Sequence, residues 1–388
     1  MGSLEGYKSK MASRINRNSS HPLLRWWRSL DHTVYTLVGV LMVFGLASVM
    51  LASTGVSGTY ELGSNDYHFA KKQLVFVILA FPLMTLLSTL NAKQIKRIGV
   101  ALALFSGLAI VLTLFSGDGV KGANRWVRVF GVSLQPTELM KPALVILTAA
   151  LLAPIEASIR VRNFILSLLA LTAVCGLTFL QPDFGMVIMF CGVWFVQAYL
   201  SGVPLTWVMF MVVGGMSTVI GAYSFLPHVK SRIERFFDPS SGDSYQVDQA
   251  REALLSGGFL GRGPGEGVVK HHLPDAHTDF IFAVIAEEFG ILTCLLLLIV
   301  FALIVFRGFS SILDQKDRFI FLAGFGLLTT FTMQTLVNIG VVMNVLPTTG
   351  MTLPFISYGG SAMIGVSFTM GFLLALTRIK GKKNVKKN

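Results

Sequence analysis

Charge is scarce in this sequence. Of 388 residues, only 13% are Asp, Glu, Lys or Arg, while 53% are hydrophobic; soluble domains carry roughly 25% charged residues. That shortage excludes a water-soluble surface. Cysteine is scarcer still: Cys175, Cys191 and Cys294 are the three present. Each falls inside an apolar run, where pairing needs specific helix contacts, so neither a disulfide framework nor a metal-thiolate site is suggested. Acid is the deficient sign, with 20 Asp plus Glu against 32 Lys plus Arg and a net charge of +12. No repeat of fixed period is visible.

What fills the chain instead is a succession of apolar stretches near the roughly 20 residues that carry a helix across about 30 Å of hydrocarbon. They lie near 34 to 53, 72 to 90, 96 to 116, 136 to 153, 163 to 180, 184 to 201, 205 to 225, 279 to 306, 318 to 342 and 355 to 377. The expectation is an all-α integral membrane protein of about ten transmembrane helices, with a long extracytoplasmic loop between the seventh and eighth. Residues 1–33 read as a cytoplasmic segment, 34–377 as the polytopic membrane domain and 378–388 as a basic cytoplasmic tail. The first apolar stretch is too long for a signal-peptide core and is taken as a retained span.

With the N-terminus in the cytoplasm, the tail and the short loops bearing Lys93, Lys96, Arg97, Arg160, Arg162, Arg307 and Lys316 fall inside, as the positive-inside rule requires. The surplus charge is therefore topology and attraction to anionic lipid, and gives no argument for nucleic acid. Two outer loops are basic without topological need. Residues 117–135 hold Lys121, Arg125 and Arg128, and residues 226–278 hold Lys230, Arg232, Arg235, Arg251, Arg262 and Lys270. Each charge alone fits a solvated loop; as a group they point to an anionic ligand at the outer leaflet. In the longer loop, VDQAREALLSGGFLGRG predicts a short amphipathic helix, suited to the membrane surface, and then a glycine-rich turn.

Several motifs interrupt the apolar runs. In SLQPTELMKPALV, Pro136 suits a first helical position, and Glu138 and Lys141 share a face one turn apart. Such a pair is either a structural ion pair or the lining of a polar cavity. In HHLPDAHTDFIFAVIAEEFG, Asp279 stands at the mouth of a helix, where it either caps first-turn amides or faces a cavity, Thr278 being the alternative cap. His271, His272 and His277 do not match a familiar zinc spacing, so no protein-only metal site is expected. GRGPGEG lacks the strand and the Lys-Ser or Lys-Thr of a nucleotide loop and reads as a mobile hinge. LQPDFG, with Asp183, and NVLPTTGMTLPFISYGGSA mark irregular backbone of the kind tolerated where it lines a cavity or is buried in protein. Gly359 and Gly360 read as helix-packing glycines.

Taken in order, QPTELMKP, QPDFG, GRGPGEG, LPDAHTDFIFAVIAEE and LPFISYGGS resemble the SEDS family of RodA and FtsW. Singly these motifs are weak; five in order in a chain of about ten spans are specific. TTGMTLPFISYGGSA looks more like the division branch than the elongation branch. The resemblance implies a peptidoglycan glycosyltransferase that polymerises lipid II, the undecaprenyl-diphosphate disaccharide-peptide, on the outer face of the cytoplasmic (inner) membrane, at the septum for the division branch. It places the essential aspartate on Asp279, the family's Glu and Lys of the fourth span on Glu138 and Lys141, and its ANRW stretch on Arg125 and Trp126. Lys270, His277 and Ser361 are added as substrate-binding or cavity residues. Where the family commonly has Glu, this chain has Asp275. The resemblance also implies a class B penicillin-binding protein transpeptidase and other divisome membrane proteins as partners.

The chemistry agrees with that assignment. A carboxylate can take the proton of an acceptor hydroxyl while diphosphate leaves the donor carbon. Positive charge from Arg or Lys, or a divalent cation such as Mg2+ or Mn2+ carried with the substrate, replaces the protonating acid that glycosidases need. A lipid-linked precursor flippase, the elongation-type paralogue and a division scaffold are the competing readings.

Overall fold

The computed structural model describes residues 22–56, 67–116, 125–129, 132–154, 156–204 and 245–378, with scattered positions between 206 and 224. A short α1 (Pro22–Ser29) leads into α2 (His32–Val56), α3 (His68–Ser88) and α4 (Ala92–Ser116). A two-stranded antiparallel hairpin, β1 (Val127–Val129) and β2 (Val132–Leu134), pairs Val127 with Leu134 and precedes α5 (Pro136–Leu152). Then come α6 (Ala157–Leu180), α7 (Phe184–Leu200), α8 (Tyr245–Ser256), α9 (Ile281–Leu313), α10 (Arg318–Val342) and α11 (Gly360–Leu376). The chain is a multi-pass membrane protein. Six of these helices, α2, α3, α4, α6, α9 and α10, are long and apolar enough to cross a bilayer, and α7 and α11 are shorter apolar helices.

Every expected span but one coincides with a described helix; that one, 205 to 225, lies largely outside the described residues, as do Lys121, Lys230, Arg232 and Arg235. The hairpin is a departure from the all-helical expectation. It occupies part of the loop expected at 117–135, where Val127, Val129, Val132 and Leu134 alternate with other residues in sequence. The amphipathic helix expected after Val247 is α8, whose Ala250 and Ala253 are fully buried.

Some helix starts carry aspartate caps. Asp31 accepts from the amides of Thr33 (3.1 Å) and Val34 (3.3 Å) at the start of α2, and Asp317 from Ile320 (3.1 Å) at the start of α10. At the end of the bundle where α2 and α10 begin, the basic side chains tie elements together. Arg307 pairs with Asp31 at 3.1 Å, Arg318 donates to the Ser201 carbonyl at 2.6 Å, and Arg378 donates to the Leu90 carbonyl. At the centre, α11 is buried along nearly its whole length. Small residues allow that approach: a Cβ on Gly365 would stand 2.6 Å from the Glu138 carbonyl oxygen, and one on Gly371 2.7 Å from Leu87 Cβ.

The helix α9 is broken. Gly290 has φ 80° and ψ 176°, which no helix accommodates. The carbonyls of Glu287 and Glu288 accept from the amides of Arg262 (2.9 Å) and Gly263 (3.1 Å), while the amides of Ile291 and Leu292 donate to the carbonyls of Gly258 (3.0 Å) and Phe259 (3.4 Å). Residues 258–263 are thus laced through the break and satisfy the backbone groups that it frees. The glycine-rich run expected to be a mobile hinge is instead tied to α9, through the Arg262 and Gly263 amides of this lace and through the Gly265 amide, which donates to the Glu288 carboxylate. The lace sets a prediction. Gly290→Ala would overlap the backbone of Phe259 and Gly261 as well as strain its own backbone, whereas Gly258, at φ 58°, has nothing within 4 Å. Thermal unfolding in detergent should show Gly290→Ala losing about 2–5 kcal/mol, the sum of conformational and overpacking costs, and Gly258→Ala about 1–2 kcal/mol.

Candidate active site

Asp279 sits on a tight turn centred on Asp275, whose φ is 55°. That left-handed conformation aims the Asp275 carbonyl at the amides of Thr278 (3.0 Å), Asp279 (3.2 Å) and Phe280 (3.4 Å), and at the Thr278 hydroxyl (3.1 Å). Phe280 and Ile281 are buried behind the turn. The N-cap of α9 is Phe280, one position beyond Asp279, with no side-chain cap, and the Thr278 hydroxyl is turned to the Asp275 carbonyl. Asp279 is half-buried, and a Cβ on Gly350 would lie 3.8 Å from its Oδ2.

Two side-chain amides on α10 bond to this turn and to the 351–352 backbone beside it. Asn338 Nδ2 donates to the carbonyls of Asp279 (2.8 Å) and Met351 (2.7 Å). Four residues earlier, and so on the same face, Gln334 Nε2 donates to the carbonyl of Thr352 (3.0 Å) and its Oε1 accepts from Lys141 Nζ (2.7 Å). Lys141 Nζ also lies 2.6 Å from Glu138 Oε2. All four side chains are buried. Glu138 and Lys141 therefore form one end of a polar line that runs through Gln334 to the 351–352 backbone, which Asn338 joins to the Asp279 turn. Sequence reading passed over Gln334 and Asn338; two amides four apart in an apolar run were the available signal.

Arg125 approaches from the other side. Its guanidinium donates to the carbonyls of Gln181 (3.0 Å) and Pro182 and lies 3.7 Å from Asp183 Oδ2, while 18% of the side chain stays exposed. Asp183 also accepts from Gln135 Nε2 (3.3 Å) and from the Met186 amide at the start of α7 (3.4 Å). Half-buried Trp126 follows Arg125 into β1. A Cβ on Gly185 would stand 3.1 Å from Thr349 Cβ, and Gly350 borders Asp279. The QPD turn that holds Arg125 and the Asp279 turn therefore flank the same 349–350 backbone.

Other expected site residues sit differently. Lys270 is 1% exposed; its Nζ lies 2.6 Å from Glu288 Oε1 and donates to the Leu51 carbonyl at 3.1 Å. An ammonium so enclosed does not reach a substrate diphosphate, and the binding role expected of it is withdrawn. Glu287, also unnoticed in the sequence, accepts from the amides of Val268 (2.7 Å), Val269 (2.8 Å) and Lys270 (2.9 Å), and Glu288 Oε2 accepts from Gly265. Ser361 is structural: its hydroxyl accepts from the Gln135 amide (2.9 Å) and donates to the Ser133 carbonyl (3.4 Å), fixing the hairpin to α11. The His277 ring stacks on Phe69 at 4.1 Å, beside Tyr358 at 5.5 Å, within reach of the Asp279 turn. His271 and His272 are exposed, and among the described residues no three His, Cys, Asp or Glu side chains gather as a metal site.

The model of a family described as cell cycle protein, named for FtsW, RodA and SpoVE, matches residues 31–382. A probable peptidoglycan glycosyltransferase FtsW of Caulobacter vibrioides is 35% identical over 91% of this chain and 90% of its own length. One of the same name from Aliivibrio salmonicida is 34% identical over 87% and 86%. Among solved structures, a chain of a peptidoglycan synthase complex that coordinates polymerization and crosslinking superposes with a TM-score of 0.74 at 26% identity, covering 90% of this chain and 98% of that one. The rod shape determining protein RodA of Thermus thermophilus superposes with a TM-score of 0.67 at 26% identity, over 90% and 97%.

The polar line permits a test that separates framework from chemistry. Lys141→Met leaves Glu138 buried without its cation and should cost about 3–5 kcal/mol, whereas Glu138→Gln with Lys141→Met should regain most of that stability. Thermal unfolding of the two single variants and the double variant measures the coupling; additive losses would show that the pair is not an energetic unit.

Proposed function

We propose that this chain, which belongs to the FtsW, RodA and SpoVE family of cell cycle proteins, is a peptidoglycan glycosyltransferase of the division branch that polymerises lipid II with Asp279 as general base. The observation that carries this reading is the half-buried Asp279 carboxylate beside Gly350, on a turn held by Asn338 and across the 349–350 backbone from the turn that holds Arg125. Family membership and the names of the relatives support the activity; TTGMTLPFISYGGSA supports the branch.

In this mechanism Asp279 takes the proton of the acceptor sugar 4-hydroxyl as that oxygen bonds to the donor anomeric carbon. The bond from that carbon to diphosphate breaks, with inversion. Arginine carries five N–H donors; those of Arg125 not given to the Gln181 and Pro182 carbonyls are available to the leaving diphosphate. Gly350 keeps clear the space beside the carboxylate that the acceptor needs. Glu138, Lys141, Gln334 and Asn338 act as framework, and His277 and Trp126 line the approach. A divalent cation such as Mg2+ or Mn2+ would arrive with the substrate diphosphate and add positive charge there.

The basic end of the bundle, with Arg307, Arg318 and Arg378, faces the cytoplasm on this reading, so Asp279 works at the outer face of the cytoplasmic membrane, at the septum. The resemblance to a subunit of a peptidoglycan synthase complex supports a class B penicillin-binding protein transpeptidase as partner, with other divisome membrane proteins alongside.

Purified chain supplied with lipid II in detergent, with and without a transpeptidase partner, should form glycan chains; detergent has no two sides, so a flippase would give none. Asp279→Asn should lower the rate by about 100-fold or more without weakening lipid II binding, and polymerisation at the normal rate would refute the assignment. Arg125→Ala should chiefly raise the lipid II concentration needed for half-maximal rate.

A further inference from the structure

Downstream of the break at Gly290, α9 presents a continuous exposed apolar stripe, comprising Leu292, Leu295, Leu296, Ile299, Leu303 and Phe306. Residues 291–313 rise roughly 34 Å, enough to cross the hydrocarbon unaided. The break therefore lies near one edge of the hydrocarbon layer. A second measure agrees: from the first residue of α10 to Asn338, which holds Asp279, the rise is roughly 30 Å. The Asp279 turn and the α9 break stand at similar depth.

The lace fixes another segment at that depth. Because the carbonyls of Gly258 and Phe259 take the amides of Ile291 and Leu292, the turn at 259–260 is fastened to the top of the lipid-facing stripe. Phe259 and Leu260 are 77% and 78% exposed there, and Leu255 at the end of α8 is 73% exposed. Exposed Arg251 and Arg262 flank them. Three large apolar side chains bracketed by arginines, continuous with a surface that already faces acyl chains, match an element that dips into the acyl boundary with its cations at the phosphates.

We propose that the turn at Phe259 and Leu260, with Leu255, is inserted into the lipid leaflet at the Asp279 end of the bundle and is covered there by phospholipid acyl chains. The insertion anchors residues 258–263, and through the lace it holds the broken part of α9 at a set depth in that leaflet. The inference stands apart from the chemistry assigned to Asp279.

The test uses the full chain in nanodiscs of phosphatidylethanolamine and phosphatidylglycerol. Leu260→Cys and, as a water-facing control, Glu266→Cys are labelled with an environment-sensitive fluorophore, the unmodified chain giving the background from Cys175, Cys191 and Cys294. The label at 260 should emit to the blue of the label at 266. Nitroxides on the acyl chains should quench it more strongly than the control, and aqueous iodide less. Equal access of iodide to both positions would place the turn in water, and protection of 260 from both quenchers would place it under protein; either overturns the proposal. Should Leu260→Cys fail to fold, Phe259→Trp read with phospholipids brominated on the acyl chain gives the same decision. Emission lost beyond that of the unmodified chain supports insertion, and no extra loss overturns it.

Discussion

In hydrocarbon, a backbone amide or carbonyl without a partner costs several kcal/mol, and the unusual parts of this fold are the places where that demand is met without a regular helix. Across the break at Gly290, residues 258–263 supply two amides and two carbonyls. In the irregular stretch before α11, the Ser357 hydroxyl accepts the Leu353 amide at 2.8 Å and Gln73 reaches the Ser357 carbonyl at 3.2 Å. One side chain, Asn338, serves the carbonyls of both Asp279 and Met351. These stretches gather at one end of the bundle. Departures from helix geometry bring backbone and polar side chains together around the Asp279 turn.

The same constraint governs the buried charges. Lys270 with Glu288, and Lys141 with Glu138, are withdrawn from solvent, and such pairs persist only when hydrogen bonds satisfy their remaining atoms. Here they do so by holding chain in place. Glu287 fastens three consecutive amides from Val268 to Lys270, so the segment leading to Asp279 starts from a fixed point. Beyond that point the turn centred on Asp275 closes onto α9. The Asp279 turn is thus held from both chain directions, as the base of the proposed mechanism requires.

The sequence made the helices legible because hydropathy measures the burial that lipid imposes locally. A carboxylate at the mouth of an apolar helix drew notice to Asp279, and a loop basic without topological reason drew notice to Arg125, but only the family resemblance gave either residue a role. What escaped depends on partners distant in the chain. Nothing near Lys270 announces Leu51 or Glu288, and without those contacts it read as one more loop cation. Ser361 read as a site residue for the same reason, its partners being Ser133 and Gln135. The hairpin is too short for its alternation to stand out from the loop. The break in α9 escaped because a glycine inside an apolar run is also an ordinary packing residue; only the lace, which lies more than 25 residues upstream, distinguishes the two.

These contacts also divide the labour among the ionisable groups. Glu138 and Lys141 neutralise each other, and Lys141 passes its remaining contact to Gln334, so the pair stabilises the floor of the site rather than its reaction. Arg125 is held by carbonyls rather than by a carboxylate at close range, since Asp183 stands 3.7 Å away. A guanidinium anchored mainly through neutral acceptors keeps most of its charge for an anion. Phe280 occupies the N-cap position of α9, and the Asp279 carbonyl is what Asn338 binds. The framework therefore grips the backbone of the Asp279 turn. On the proposed mechanism, that separation of anchoring from chemistry lets the turn be rigid while its carboxylate exchanges a proton.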